Sequence, residues 1–471
     1  MKINDVYDII GPHGPLQNGY NPNHLSLLIE HDFEFTAEFF KDYEDTYGTI
    51  QVNNQRLLSG LFNKSYCVND LEINKDNTVG NPQEYYIYTI CSFSNIFATL
   101  GMRNYSNSVF SNISNKIKKL LSADNVYIVI EYQMEGYNDI NILDKLYFEC
   151  KKNKINASKL VFITSTLNID KLHQTYLLDF PKKDIIKTTL FNWSIPFKNF
   201  ELNNVLHDKK KFDKYKKSTI STKEDLNVDK THKFLLLNKR LRFHRVLLLS
   251  LLENEELLDN SFTSYDMDLN LFPNFISMLE DHHFKNQRIF YDEEYKQKAK
   301  DGYVKLLKNY KSVVDYDNIA DLEGYGWETK EIYNKSYFSI ITETEFQDDI
   351  WFLSEKTIKP IMHYHPFIVV GSPYTLKELK LYGFKTFSDF WDESYDEMES
   401  SNDRIIAIFK LCKELILKSK EEWDLLYKNL IPILEHNRNT LLKYDEHYVK
   451  NKVKENLIYL LQTDKNYIKL F

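Results

Sequence analysis

The segment IITETEFQDDIWFLSEKTIKPIMHYHPFIVVG, residues 340–371, decides the fold of this chain. Its first residues continue an apolar run that begins at Tyr337 and is typical of a buried strand. Ser354 is placed as an N-cap, so Glu355 and Lys356 are predicted to open a helix. The run PFIVVG then predicts a second buried strand ending at Gly371, where the missing side chain lets backbone approach a ligand closely. A strand, a helix and a strand in this order indicate a βαβ unit with parallel strands.

The same alternation of strand-like and helix-like segments occupies two blocks of the sequence. In the first block the predicted strands are rich in β-branched and aromatic residues, and they are Tyr85–Phe93, Val126–Tyr132, Leu160–Thr166 and Ile185–Trp193. In the second block the predicted strands are Lys233–Asn238, Tyr337–Thr344, Pro366–Gly371 and a short one at Gly383–Phe387. Helical spacing of apolar residues predicts a helix after Asn238 and helices beyond Arg404. Two such blocks predict an α/β fold whose parallel sheets are buried on both faces.

Domain organisation is indicated by a charged segment between the two blocks. Residues 207–231 lose the alternation and are rich in Lys and Asp, which is typical of a linker. We therefore expect a Rossmann-like domain over residues 1–206, a linker over 207–231, a second Rossmann-like domain over 232–410, and C-terminal helices over 411–471 that pack back on the domains. The Lys runs of the linker are interpreted as solvated surface in preference to a phosphate-binding strip.

Bulk composition limits the class of partner and the compartment. The chain has 471 residues with 60 Lys and Arg against 68 Asp and Glu, a net charge of −8, whereas a large non-specific nucleic-acid binder is more often basic. A local basic groove stays compatible with that balance. No run approaches the roughly 18 apolar residues of a membrane span, the N-terminus lacks a signal-peptide pattern, and the four cysteines form no CxxC pair. These features predict a cytoplasmic protein with no membrane span.

A group of cations follows the first predicted strand of the second block. The strand ends near Asn238, and Lys239, Arg240, Arg242 and Arg245 come directly after it. In an open α/β sheet, ligands bind outside the carboxyl ends of the strands, at helix N-termini that favour anions. Arginines concentrated there can hold a diphosphate through their bidentate forks. The alternative is a solvated first helical turn, where positive charge is mildly unfavourable against the helix dipole.

A second group of charged residues opens the helix predicted after Ser354. A carboxylate at Glu355 can accept both hydroxyls of a ribose, and Lys356 can reach a phosphate beside the helix N-terminus. The alternative is that Glu355 and Lys359 form an ordinary i,i+4 surface pair. Pro360 inside this helix removes a backbone hydrogen bond and argues against an ordinary solvent-facing helix.

Other sets of polar residues carry weaker signals. Asp266-Met267-Asp268 has the form of a metal-binding DxD, but this pattern is common by chance. The pairs His282-His283 and His363/His365 lack a third ligand at a plausible spacing, so no metal site is predicted. His244 suits phosphate binding and helix packing equally. The sequence contains neither a GxxxxGK[ST] loop nor a GxGxxG fingerprint.

Residues 354–396, SEKTIKPIMHYHPFIVVGSPYTLKELKLYGFKTFSDFWDESYD, resemble the C-terminal part of GT-B glycosyltransferases of the phage and bacterial type. They are more distantly similar to α-1,3-fucosyltransferases, which carry Thr where this chain has Ser354, and to exostosin-like enzymes. The Asn-x-Arg-x-Arg-x-His-Arg pattern at Asn238–Arg245 fits the same group, and the resemblance covers about residues 231–410. It implies two Rossmann-like domains that face each other across a cleft, with a helical C-terminal tail.

The resemblance also implies roles for particular residues. Glu355 would hold the ribose, while Lys356, Arg240 and Arg245 would stabilise the departing diphosphate. Glu343 would lie near the donor sugar or the phosphates. The expected donor-binding set is Asn238, Arg240, Arg242, Arg245, Glu343, Ser354, Glu355, Lys356 and Lys359. An inverting enzyme also needs a base, for which Glu131 and Glu135 are the candidates, with a surface turn as the equal alternative for both.

The function implied is transfer of a sugar from a nucleotide-diphosphate donor to a hydroxyl acceptor, either a glycan or a modified base of phage DNA. Such a viral enzyme would work in the host cytoplasm. The resemblance implies no required cofactor, although a non-essential divalent metal is compatible with it. The alternative is a non-catalytic protein with a degenerate GT-B fold that binds nucleotides or glycans.

Overall fold

The structure, a computed structural model, describes residues 2–7, 65–67, 70–91, 110, 113–132, 142–192, 194–195, 220–238, 242–265, 275–280, 292–309, 330–346 and 351–470. The chain forms two compact units. Unit 1 comprises Met1–Trp193 together with His447–Phe471, and unit 2 comprises Ser194–Glu446. The domain limits predicted at residues 206, 231 and 410 stay predictions.

The regular elements within the described residues are as follows. The strands are β1 Lys2–Tyr7, β2 Ser65–Cys67, β3 Glu84–Cys91, β4 Val126–Tyr132, β5 Leu160–Thr164, β6 Lys187–Leu190, β7 His232–Asn238, β8 Phe262–Tyr265, β9 Ser336–Thr342, β10 Phe367–Val370 and β11 Tyr467–Lys469. The helices are α1 Asn115–Leu120, α2 Ile142–Lys152, α3 Ile169–Asp179, α4 Phe243–Asn254, α5 Phe275–Glu280, α6 Glu293–Asn309, α7 Lys330–Asn334, α8 Glu355–Met362, α9 Thr375–Leu381, α10 Ser401–Leu417, α11 Lys420–Lys443 and α12 Glu446–Gln462.

Unit 1 is built on a sheet whose strands lie in the order β11-β6-β5-β4-β3-β1-β2. Each pair of these neighbours is parallel. The central strands are continuous apolar runs because parallel sheets are covered on both faces. Ile128, Ile130, Phe162 and Ile163 are all fully buried. The edge strand β11 comes from the end of the last helix and pairs with β6, a connection that the sequence patterns did not predict.

Unit 2 is built on a smaller sheet with the order β10-β9-β7-β8, again with parallel neighbours. The chain leaves β7 to form β8 on one side and later returns to form β9 on the other side. The sheet therefore has a topological switch point between β7 and β9, and ligands of open α/β sheets bind outside the carboxyl ends of the strands at such a point.

One sequence interpretation of unit 2 needs correction. The short strand predicted at Gly383–Phe387 is not formed, because a side chain on α11 replaces the neighbouring strand. Asn437 accepts a hydrogen bond from the backbone N–H of Lys385 at 2.7 Å and donates to its carbonyl at 2.8 Å. The second half of the predicted linker, residues 220–231, is packed within unit 2, where Ile220 and Leu226 are buried.

The predicted fold class is confirmed: the chain is α/β, with two Rossmann-like units of parallel strands and helices at its C-terminal end. In the described part of the chain, no helix combines the length and the apolar character that crossing a bilayer requires.

Candidate functional site

The carboxyl ends of β7 and β9 are joined by a side-chain hydrogen bond at the switch point of unit 2. Thr342 Oγ1, at the end of β9, donates to Asn238 Oδ1, at the end of β7. Both residues are buried. The amide of Asn238 is oriented with Oδ1 toward Thr342. Its Nδ2 is also buried and has no hydrogen-bond partner among the residues that the structure describes.

The arginines that follow β7 lie at different depths. Arg242 precedes the first residue of α4, its side chain is 37% exposed, and its Nη1 lies 3.3 Å from Glu345 Oε1. Arg245 is only 4% exposed, and its Nη2 donates to the carbonyls of Thr342 and Glu343 at 3.1 and 3.0 Å. Arg245 therefore holds the end of β9 in place, while Arg242 stays partly accessible. Arg240 lies outside the described residues.

Glu343, the first residue after β9, is fully buried and serves as an internal anchor for α8. Its Oε1 accepts from the backbone N–H of Ser354 at 3.2 Å and from Thr357 Oγ1 at 2.5 Å, and its Oε2 accepts from the N–H of Thr344 at 3.3 Å. A carboxylate at a helix N-terminus is stabilised by the helix dipole and the unsatisfied N–H groups. A role of Glu343 toward a ligand is thus indirect, through the position of α8.

The sequence suggested that a ligand approaches the backbone at Gly371, whereas the structure places protein side chains beside this residue. A Cβ at this position would lie 3.2 Å from Glu343 Cγ and 3.3 Å from Glu343 Cβ. The side chains of Glu343 and Val369 therefore fill the space that a Cβ at position 371 would take.

The helix predicted to open with Glu355 does so, and its cap is confirmed. Ser354 Oγ accepts from the backbone N–H of Lys356 at 3.2 Å, and Ser354 is buried. Lys356 is half-buried, and its Nζ donates to Thr344 Oγ1 at 3.3 Å and to Ser354 Oγ at 3.4 Å. Lys359 is also half-buried, one turn further along α8. The side chain of Glu355 lies outside what the structure describes.

Cations from two separate elements therefore meet the same short segment after β9. Lys356, on α8, contacts Thr344, and Arg242, at the start of α4, contacts Glu345. These two contacted residues are consecutive, with α-carbons about 3.8 Å apart. The structure thus brings the two predicted cation groups together at one edge of the sheet. Thr344, Glu345 and Thr357 belong to this arrangement although sequence reasoning assigned them no role; the Thr-Glu-Thr-Glu run after an apolar strand was the available signal.

The sequence left two roles open for His244, phosphate binding and helix packing, and the structure shows it packed in the interior. It is 7% exposed, its ring stacks on Phe346 with a centroid distance of 5.1 Å, and its Nε2 lies 3.0 Å from the carbonyl of Glu343. Burial, together with the charge of Arg245, holds the pKa of His244 well below its usual value, so the ring is neutral at pH 7. Because a carbonyl only accepts, Nε2 carries the proton.

Arg404, on α10, is a buried cation that sequence reasoning did not select. It is 1% exposed, and it donates to the carbonyls of Gly371 at 3.1 Å and of Phe346 and Met398 at 2.5 Å each. It therefore ties the loop that follows β9 to the loop that follows β10.

The Asp-Glu-Ser-Tyr-Asp run at residues 392–396 supports the same loops. Glu393 accepts from the N–H of Phe387 at 2.8 Å, and the Tyr395 hydroxyl accepts from the N–H of Val369 on edge strand β10 at 3.3 Å. The carboxylate of Asp396 accepts from the first N–H groups of α9 at 2.8 and 3.0 Å. These motif residues therefore form hydrogen bonds to backbone N–H groups of unit 2.

Of the two base candidates, Glu131 lies within β4 and is 2% exposed, so its alternative interpretation as part of a surface turn is wrong. Glu135 lies outside the described residues, as do the Asp266–Asp268 and His282–His283 sets.

His363 and His365 have partners within the protein. His363 stacks on Tyr333 at 4.0 Å, and His365 Nδ1 lies 2.8 Å from Ser339 Oγ. Burial lowers the pKa of His365 to about 3. In the described part of the chain, no three His, Cys, Asp or Glu side chains are grouped as metal ligands.

Comparison with known proteins adds little to this geometry. No protein-family model matches the chain, and no curated protein matches it in sequence. Among solved structures, the chain is similar to an α,α-trehalose-phosphate synthase (UDP-forming) from Burkholderia vietnamiensis, with 9% identity over 82% of this chain and 74% of that chain and a TM-score of 0.32. A similarity at this TM-score carries no argument, so a function has to be inferred from the site itself.

Proposed function

We propose that this protein is a glycosyltransferase of the GT-B type that moves a sugar from a nucleotide-diphosphate donor to a hydroxyl acceptor. The observation that carries the proposal is the meeting of Arg242 and Lys356 on consecutive residues, Thr344 and Glu345, at the switch point of the unit 2 sheet. An anionic ligand at such a point is favoured by the partly exposed cations and by the N-terminus of α8.

The proposed site has two layers. The buried layer comprises Asn238, Arg245, Glu343 and Ser354, which fix the ends of β7, β9 and the start of α8. The accessible layer comprises Arg242, Lys356 and Lys359, to which the resemblance adds Glu355 for the ribose and Arg240 for the diphosphate. Asn238 Nδ2 supplies one further donor for a ligand oxygen.

Glycosyl transfer builds negative charge on the departing diphosphate as the bond to the sugar breaks. Cations fixed beside that oxygen stabilise the transition state more than the ground state, and their attraction to the developing negative charge is stronger where water is excluded. Lys356 and Arg242 are proposed for this role, with no required metal and at most a non-essential divalent ion. Glu131 and Glu135 remain the proposed bases for the acceptor hydroxyl.

Binding of nucleotide diphosphates by isothermal titration calorimetry tests the donor site. A panel of UDP, GDP, ADP, CDP and TDP should contain one compound that binds the wild type and binds Lys356→Met at least about tenfold more weakly, because a charge-assisted contact is lost. Lys308→Met, an exposed lysine of α6 in the same unit, is the matched control and should bind like the wild type. Absence of binding by every compound would contradict the donor site.

Hydrolysis and transfer assays test the reaction. The nucleotide sugar that corresponds to the bound diphosphate should be consumed with a hydroxyl acceptor, and glycan acceptors and DNA containing hydroxymethylated bases form the two arms. Nucleotide binding without turnover on any acceptor would favour the alternative, a non-catalytic nucleotide-binding protein of the same fold.

A further inference from the structure

A buried arginine at the opposite edge of unit 2 has two donor atoms without an acceptor among the residues that the structure describes. Arg438, on α11, is 3% exposed, and neither its Nε nor its Nη1 has a hydrogen-bond acceptor among the described residues. Its guanidinium lies over the ring of Tyr364, 4.9 Å from the centroid. Burial lowers the pKa of Arg438 to about 10, so the group is still charged at pH 7.

Such an arrangement is energetically costly in isolation. A buried charge that is neither paired nor fully hydrogen-bonded is strongly destabilising, and native proteins compensate it with a counter-charge or another polar group. A cation–π contact with a single ring compensates only part of that cost. Among the described residues the donors Nε and Nη1 of Arg438 have no acceptor, which leaves them available to a bound group.

The surroundings of Arg438 favour an anion over a neutral group. Lys230, a second buried cation, lies 4.5 Å from the centroid of the Tyr427 ring, and the Tyr427 hydroxyl donates to the carbonyl of Tyr364 at 3.4 Å. Lys223, whose side chain is 68% exposed, adds positive charge near Tyr364 and at the surface. Arg438 and Lys223 therefore place two positive charges beside Tyr364, one of them buried.

One carboxylate lies close to this group and opposes an incoming anion. Glu435 is one turn before Arg438 on the same face of α11, and its Oε1 lies 2.8 Å from Lys223 Nζ. This pair is partly exposed, with side-chain exposures of 68% for Lys223 and 31% for Glu435, and it is screened by solvent.

Tyr364 has the backbone conformation of a residue held in place by its surroundings. Its φ is +52°, in the left-handed region that non-glycine residues rarely occupy, between the end of α8 and the start of β10. This conformation is the left-handed cap of α8: the N–H of His365 donates to the carbonyl of Pro360 at 2.9 Å, and the N–H of Tyr364 donates to that of Ile361 at 3.4 Å. Because Tyr364 precedes β10 and Gly371 follows it, this group lies at the amino edge of the sheet, away from the diphosphate site.

We propose that Arg438, Tyr364 and Lys223 form a second binding site of unit 2, which takes a phosphate or carboxylate group. The anion accepts hydrogen bonds from Arg438, and it reaches the guanidinium from the side of the exposed Lys223. This site is independent of the proposed glycosyltransferase activity, so either proposal can fail alone.

Thermal unfolding of the full chain with added anions tests the site. The probes are inorganic phosphate, acetate and chloride at constant ionic strength, and phosphate and acetate distinguish the two oxyanion classes. At about 100 times its Kd, a bound anion should raise the Tm by about 5–10 °C. Chloride should produce no comparable shift.

Variants separate a binding site from a packing role. Arg438→Met should lose the anion-dependent shift and, in anion-free buffer, should be as stable as the wild type or more stable, because an uncompensated charge is removed. Arg438→Lys, which keeps the charge, is the second variant in case the first does not fold. Glu435→Gln should bind the anion about two- to fivefold more tightly, since a repelling charge is lost.

Three outcomes would overturn the proposal. The first is the absence of any specific phosphate or acetate shift in the wild type, which would leave a bound water as the partner of Arg438. The second is an equal shift in Arg438→Met. The third is a large loss of stability of Arg438→Met in anion-free buffer, which would assign Arg438 to packing alone.

Discussion

Replacing Glu343 by Gln should destabilise unit 2, although the change alters only one heavy atom and no volume. The carboxylate accepts three hydrogen bonds, from Ser354, Thr357 and Thr344. A Gln amide has one accepting end, so at least one of these donors would face an NH₂ group. Hydrogen bonds to charged groups contribute about 1.5–3 kcal/mol each, and a buried donor left unsatisfied costs about 1–3 kcal/mol. We therefore expect the free energy of unfolding to fall by about 2–4 kcal/mol.

Urea unfolding followed by tryptophan fluorescence measures this change where it occurs, because Trp327, Trp351, Trp391 and Trp423 of the five tryptophans belong to unit 2. The Tm should fall in parallel by about 5–15 °C. Glu331→Gln is the control: it makes the same chemical change at an exposed pair with Lys335, and it should shift the unfolding free energy by less than about 0.5 kcal/mol. If Glu343→Gln is as stable as that control, Glu343 is not the anchor of α8.

Three further predictions concern packing, the buried layer and pH. Gly302→Ala should destabilise unit 2 by about 3 kcal/mol, in spite of the better helix propensity of Ala, because its Cβ would lie 1.7 Å from the Ser250 carbonyl oxygen. As a control, Val304→Ala, on the exposed side of α6, should lower the free energy of unfolding by less than about 1 kcal/mol in the same urea titration. Arg245→Ala should lose about 2–4 kcal/mol of unfolding free energy, and a stability equal to that of Lys356→Met would contradict its structural role. The pKa of His365 falls from its ordinary 6.5 to about 3 in the folded state, so its contribution to the free energy of unfolding is present above pH 6.5 and is lost toward pH 3. The loss should be about 2 kcal/mol between pH 6.5 and pH 5. In His365→Gln the free energy of unfolding should therefore depend less on pH.

The apolar strands could be predicted from the sequence, including the edge strand β10, whereas the edge strands β8 and β11 could not. β4 has the predicted bounds, because an interior parallel strand is a continuous apolar run, here rich in β-branched and aromatic residues. β8, with the sequence FTSY, and β11, with only three half-buried residues, carry no such pattern. Their pairing depends on the rest of the sheet, and local composition does not encode it.

The position of the candidate site in the fold could be predicted from the sequence, but the burial of its side chains could not. The cap at Ser354 and the cations after β7 identified the edge of the sheet at which these side chains meet, since both signals are local. Whether a charged side chain faces a ligand or the interior depends on tertiary contacts. Arg245 and Glu343, which the sequence suggested as ligand groups, turned out to be 4% and 0% exposed. Arg404 gave no signal, because its partners are backbone carbonyls from three loops.

The last strand of the larger sheet has a consequence for biosynthesis. β11 completes unit 1 beside β6, and Thr189 and Ile468, which are hydrogen-bonded across this pair, are 279 positions apart. At about 5–20 residues per second, a ribosome needs about 15–55 s to pass from one to the other. Unit 2 is contiguous in sequence and is fully synthesised within that interval. The part of unit 1 that precedes unit 2 therefore emerges before unit 2 and is completed after it, with an open sheet edge that nascent-chain binding factors would have to shield in the meantime.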